Sequence, residues 1–157
     1  MTQPEALAQA FPGARIERRA IVLTTGQAKA VEARARVRLS SRLVTAYAAW
    51  RGDTLAGTAL FDTRVVRTMP GVFMITIAPD TTIGRVDVLA FHEPPDYLPP
   101  RRWLGLLERE RLDDRLWPGR DIRTIAGMTL STRAIAEALR QALAVYQVAV
   151  AKELAAR

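Results

Sequence analysis

The residues best suited to chemistry lie in one run, Thr124-Ile125-Ala126-Gly127-Met128-Thr129-Leu130-Ser131-Thr132, which leads into an apolar-periodic C-terminal segment. A glycine and four hydroxyl side chains fall at the expected start of a helix. A helix start offers unpaired N–H groups and the positive end of the helix dipole. Hydroxyls and a flexible backbone there suit a phosphate. On spacing alone, Gly127 also reads as a simple turn residue and Ser131 or Thr132 as a helix cap.

The rest of the composition removes other chemistries. The chain has no cysteine, so thiolate metal sites, iron–sulfur clusters, disulfides and thiol nucleophiles are excluded. Its one histidine, His92, rules out a multi-histidine metal site. Asp113-Asp114 lacks ligand partners at motif spacing and reads as a loop or helix end. No glycine-rich nucleotide fingerprint is visible.

The net charge of +7 comes almost entirely from arginine, since Lys29 and Lys152 are the only lysines. The arginines are scattered, and no helical stripe interleaves them with aromatics. Such a balance suits nucleic acid, an anionic cofactor or an acidic partner, but the scatter reads first as a solvated face from biased arginine usage, and nucleic acid is not the expected partner. At 157 residues and 49% apolar content, the chain has enough material for one cored domain. No apolar run has the ~20 residues a membrane span needs, and no signal peptide is visible.

The elements that must position the run follow from periodicity. A short helix is expected up to the Phe11-Pro12-Gly13 turn, and a strand at the end of Ala14 to Leu23. Thr24-x-x-Gln27 matches a capping box for a helix reaching Arg38. Strands are expected over Leu43 to Trp50, then after the Gly52-Asp53 turn over Thr54 to Phe61, with Thr63 to Thr68 extending the latter past a bulge. Pro70-Gly71 is expected to turn the chain before a buried strand from Val72 to Ala78, and Pro79-Asp80 before another from Ile83 to Phe91. Four prolines between His92 and Pro100 predict a stiff, extended loop without helix or strand. An amphipathic helix is expected over Arg101 to Arg111, with a turn at Leu116-Trp117-Pro118-Gly119. The final helix carries its stripe on Ile135, Leu139, Leu143, Tyr146, Val150 and Leu154. These elements give an α+β fold: an antiparallel meander of four or five strands, packed by an N-terminal helix and a long C-terminal helix.

Arg123 to Thr132 resembles the attachment segment of the FMN-binding domain family, found in flavoprotein subunits of Rnf-type complexes, in the sodium-pumping NADH:quinone oxidoreductase, and in exported single-domain members. The family pattern is Asp-x-x-Ser/Thr-Gly-Ala-Thr, followed by an apolar residue, two hydroxyl residues and a long helix. This chain keeps Gly127, Thr129, Leu130, Ser131 and Thr132, but has Arg123, Ala126 and Met128 where the family has Asp, Ser/Thr and Ala. Val86 to Pro94 is similar to the family strand that leads into a Glu-Thr-Pro-Gly loop. Glu93-Pro94 matches the core of that loop, while Pro95 and Asp96 depart from it.

The resemblance implies one FMN-binding-type domain over 1–157, with an N-terminal extension at 1–42 and a core at 43–157. It implies an electron carrier holding FMN, covalently or noncovalently, with a flavin transferase joining the phosphate to Thr129. Gly127, Met128, Leu130, Ser131 and Thr132 would complete the attachment segment. Glu93, Tyr97 and Leu98 would lie near the isoalloxazine, and His92 beside them, with Trp103 as a further ring cover. Read from the residues alone, Glu93 also suits a solvated loop carboxylate, His92 a surface residue at a strand end, and Trp103 more readily the core. The partner would be a cytochrome or a membrane oxidoreductase, and the location periplasmic or otherwise exported. The rival implication is a flavin-free docking or scaffold domain of the same fold.

Overall fold

The computed structural model describes residues 1–156. Its sheet has five strands in the order β1-β2-β3-β4-β5, every neighbouring pair antiparallel. They are β1 (Arg15–Val22), β2 (Leu43–Arg51), β3 (Thr54–Val65), β4 (Pro70–Ile77) and β5 (Ile83–Phe91). The expected α+β meander is what forms.

Two helices start on reciprocal caps. In α1 (Gln3–Ala10) the Thr2 hydroxyl accepts from the Glu5 N–H while the Glu5 carboxylate accepts from the Thr2 N–H. In α2 (Thr25–Ala35) Thr24 and Gln27 form the same box, as the sequence spacing predicts. Helix α1 lies on one face of the sheet, where Ala6 and Leu7 cluster with Ala59 and Met74. The approach is close: a Cβ on Gly57 would stand 2.8 Å from the Phe11 ring, so only glycine fits there.

The other face carries the main core. Helix α4 (Thr129–Val145) continues through a π-helical turn (Tyr146–Val150) into α5 (Ala151–Ala155). Its expected stripe is buried throughout, among strand residues such as Phe73, Ile75 and Ile77. Each such aliphatic side chain contributes roughly 1.5–3 kcal/mol by leaving water. A polar seam adds direction: Arg64 on β3 donates to Asp62, to Glu137 and to Gln141, tying the sheet to α4.

Several local expectations are corrected. Pro70-Gly71 opens β4 rather than turning, because Val66 to Met69 closes the turn through a 2.9 Å Val66 N–H to Met69 carbonyl bond. Proline is tolerated as the first residue of a strand. Strand β3 runs to Val65 without a break in its pairing to β4, and its irregularity lies near its start, where Ala56 is left unpaired between Leu55, opposite Trp50, and Gly57, opposite Ala49. The proline-rich loop does hold one 3-10 turn, Pro95–Tyr97, since proline at the first position gives up only an N–H that has no partner there. The helix expected to reach Arg111 stops after α3 (Arg101–Gly105). Beyond it the Arg109 N–H donates to the Ile83 carbonyl and the Ile83 N–H to the Glu110 carbonyl, so the backbone pairs with the start of β5.

Candidate functional site

The segment before α4 is held from several sides. The Trp103 indole donates to the Arg123 carbonyl at 2.8 Å, and Ile122 is buried beside it in the core. Trp103 is therefore a buried anchor rather than a ring cover. Gly127 then adopts φ +80°, in the left-handed region, with open space where a Cβ would be. Glycine is needed there for the backbone, not for room. Met128 occupies the cap position, and the first helical bond runs from the Thr132 N–H to the Met128 carbonyl. That leaves the N–H groups of Thr129, Leu130 and Ser131 without an intrahelical carbonyl.

The helix thus begins three residues earlier than a Ser131 cap would place it. Ser131 and Thr132 sit in the first turn with 1% and 0% exposure and cap nothing. Thr132 Oγ1 donates back to the Thr129 carbonyl at 3.0 Å. Ser131 Oγ donates to the Tyr97 carbonyl at 2.6 Å, fastening the proline-rich loop to the helix start. Thr129, in contrast, is exposed, and its hydroxyl has no protein partner among the described residues.

These contacts frame a shallow groove of about 210 Å³, lined by residues 127–131, Tyr97 and Arg67. Five of the residues expected from sequence, Gly127, Met128, Thr129, Leu130 and Ser131, meet Tyr97 there. Thr132 faces inward instead. Leu98 is about one-third exposed beside the groove's Tyr97 without lining it, and His92 lies on the surface at the end of β5.

Glu93 takes a different place from a solvated loop carboxylate. It is 6% exposed, and its Oε2 accepts from the Arg67 and Thr68 N–H groups, both at 3.1 Å. Its Oε1 accepts from the Thr68 hydroxyl at 3.3 Å. Burial pushes the carboxyl pKa up, but the donors from Thr68, Met69 and Arg67 outweigh it and hold the group below its ordinary value. Glu93 thereby shapes the β3–β4 turn.

That turn delivers Arg67, whose guanidinium lies 3.8 Å from the centroid of the Tyr97 ring. A turn arginine carries no motif, so nothing in the sequence distinguishes it from twenty other arginines. It becomes visible only once β3, β4 and the Tyr97 loop are folded together.

The chain folds like NqrC of Shewanella oneidensis. The crystal structure of that protein superposes with a TM-score of 0.67, covering 98% of this chain and 88% of NqrC at 16% identity. At that identity the likeness is one of fold. No family model matches the sequence, and no curated protein matches it. No helix among the described residues is long and apolar enough to cross a membrane.

Proposed function

We propose that the chain is an electron-transfer flavoprotein that holds FMN in the groove at the start of α4, joined through a phosphoester to Thr129. The observation that carries the reading is the pairing of the free, exposed Thr129 hydroxyl with unpaired helix N–H groups in a groove that also holds Arg67 and Tyr97. The donor set fits the group: N–H groups and a cation suit the phosphate, and Tyr97 and Leu130 offer apolar surface beside it. NqrC, whose fold the chain shares, is an FMN-binding subunit of the Na+-pumping NADH:quinone oxidoreductase. FMN supplies the redox chemistry when bound, and the protein sets its orientation and exposure.

On this reading residues 1–157 are one FMN-binding-type domain, and the first 42 residues are more than an extension, since Ile21, Leu23, Val31 and Ala35 join its core. A flavin transferase would make the Thr129 Oγ–P bond from a flavin phosphoanhydride, whose P–O–P bond breaks as the other phosphate half leaves and the Thr129 proton is lost; a threonine hydroxyl alone is a weak nucleophile. The redox partner would be a cytochrome or a membrane oxidoreductase in the periplasm or another extracytoplasmic space. A net charge of +7 suits an acidic partner surface, with association weakening as salt rises.

The test is co-expression with a flavin transferase, followed by intact mass and absorbance at about 450 nm, where oxidised flavin absorbs. The expected result is a gain of one FMN less one water, abolished in Thr129→Ala. The departures at Arg123, Ala126 and Met128 favour one rival, a flavin-free docking domain of the same fold. A colourless protein of unchanged mass that also binds no free FMN would establish that rival and remove the carrier reading.

A further inference from the structure

Resting on the flavin reading, we propose that Arg67 is the residue that reads the flavin phosphate, and that Glu93 is a positioning residue for it. Arg67 supplies the one charged side chain in the lining of the groove that holds Thr129. Among the described residues no carboxylate pairs with it. Its guanidinium stacks on Tyr97 at 3.8 Å, which occupies a face of the planar group and leaves its edge N–H donors unused. A phosphate ester presents oxygens in the geometry that such an edge recognises.

Both halves of the stack are fixed from behind by buried groups. Glu93 holds the backbone N–H of Arg67 and Thr68, and Ser131 Oγ holds the Tyr97 carbonyl. The cation is therefore placed before any ligand arrives, which lowers the ordering entropy of binding. Glu93 touches no ligand in this arrangement. It acts through the turn, where its charge is already satisfied by three donors from residues 67 and 68.

FMN and riboflavin differ only in the phosphate, so their affinities isolate the contact. The full-length protein, produced without a flavin transferase, is titrated with each flavin by fluorescence quenching. The wild type is expected to prefer FMN by roughly 10- to 100-fold, the range of a charge-assisted hydrogen-bonded contact. Arg67→Gln should cut that preference by about 10-fold, leaving only what the N–H groups at the start of α4 supply. Arg67→Lys should restore part of it, since it keeps the charge but not the fork. Glu93→Gln should reduce the preference without changing riboflavin affinity. A preference undiminished in Arg67→Gln, or absent from the wild type, overturns the assignment while the flavin reading stands. In protein loaded by the transferase, the 31P resonance of the linked phosphate should move between wild type and Arg67→Gln, and an unmoved resonance overturns it equally. Folded wild type that neither binds free flavin nor accepts it covalently refutes the flavin reading itself, and this assignment with it.

Discussion

Ser131 Oγ donates to the Tyr97 carbonyl at 2.6 Å, joining the first turn of α4 to a loop 34 residues earlier in the chain. The bond is buried on the Ser131 side, so water cannot readily replace it. Ser131→Ala should cost about 1–2 kcal/mol, the usual loss when a buried acceptor goes unsatisfied. Urea denaturation gives the stability, and amide exchange should quicken at Tyr97 and Leu98 while β4 stays protected. Unchanged exchange in that loop would show that the bond does not hold it.

Gly127→Ala isolates the backbone conformation of the attachment segment. The new Cβ meets nothing within 4 Å, so packing contributes no penalty. The φ of +80° costs an L-residue roughly 1–2 kcal/mol. Gly127→Asn should lose less, because asparagine enters the left-handed region more readily. Equal thermal midpoints for wild type and both variants would mean that the segment relaxes to another conformation.

Periodicity and caps made much of this architecture legible before folding. The Thr24 box, the Gly52-Asp53 turn and the α4 stripe each depend on a few adjacent residues, and each forms as expected. What sequence did not reveal depends on partners far along the chain. Ser131 and Thr132 have the composition of caps, but Gly127 turns the chain early enough for Met128 to take that position. Glu93 reads as a loop carboxylate until the 66–69 turn arrives beneath it. Trp103 reads more readily as core than as cover, and the Arg123 carbonyl that fixes its indole lies 20 residues further along the chain. Arg67 and Arg140 are ordinary members of an arginine-rich chain whose significance comes only from tertiary placement.

Glu93 should make stability depend on acid pH. Its folded pKa is held below the ordinary glutamate value, with burial opposing and the donors of Thr68, Met69 and Arg67 prevailing. The unfolded chain then binds the proton more readily, so the stabilisation is present above the ordinary pKa and is lost as pH falls through the folded one. Glu93→Gln should be less stable than wild type at pH 7, with the gap narrowing at acid pH. Urea midpoints at pH 7, 5 and 3 measure this, and a gap constant across that range would contradict it.

Arg140 presents the sharpest energetic test, because it is a cation 1% exposed on the core side of α4. It donates to the Ala35 and Asp113 carbonyls at 2.7 Å, and to the Leu116 and Arg34 carbonyls at 3.3 Å. The Trp117 ring lies 4.5 Å from its guanidinium. Two of those carbonyls belong to the last turn of α2, the negative end of that helix, which favours a cation. One side chain thus fastens α2, α4 and the 113–117 loop that leads to the attachment segment. Arg140→Met keeps most of the apolar stem but strands several carbonyls, and should cost about 3–5 kcal/mol, at roughly 1–3 kcal/mol for each buried acceptor left unsatisfied and partly relaxed. Arg140→Lys should recover little, since one ammonium cannot span acceptors on two sides. Urea denaturation of the three proteins measures the loss. A deficit under about 1 kcal/mol for Arg140→Met would mean that the loop and α2 dock through their apolar contacts alone.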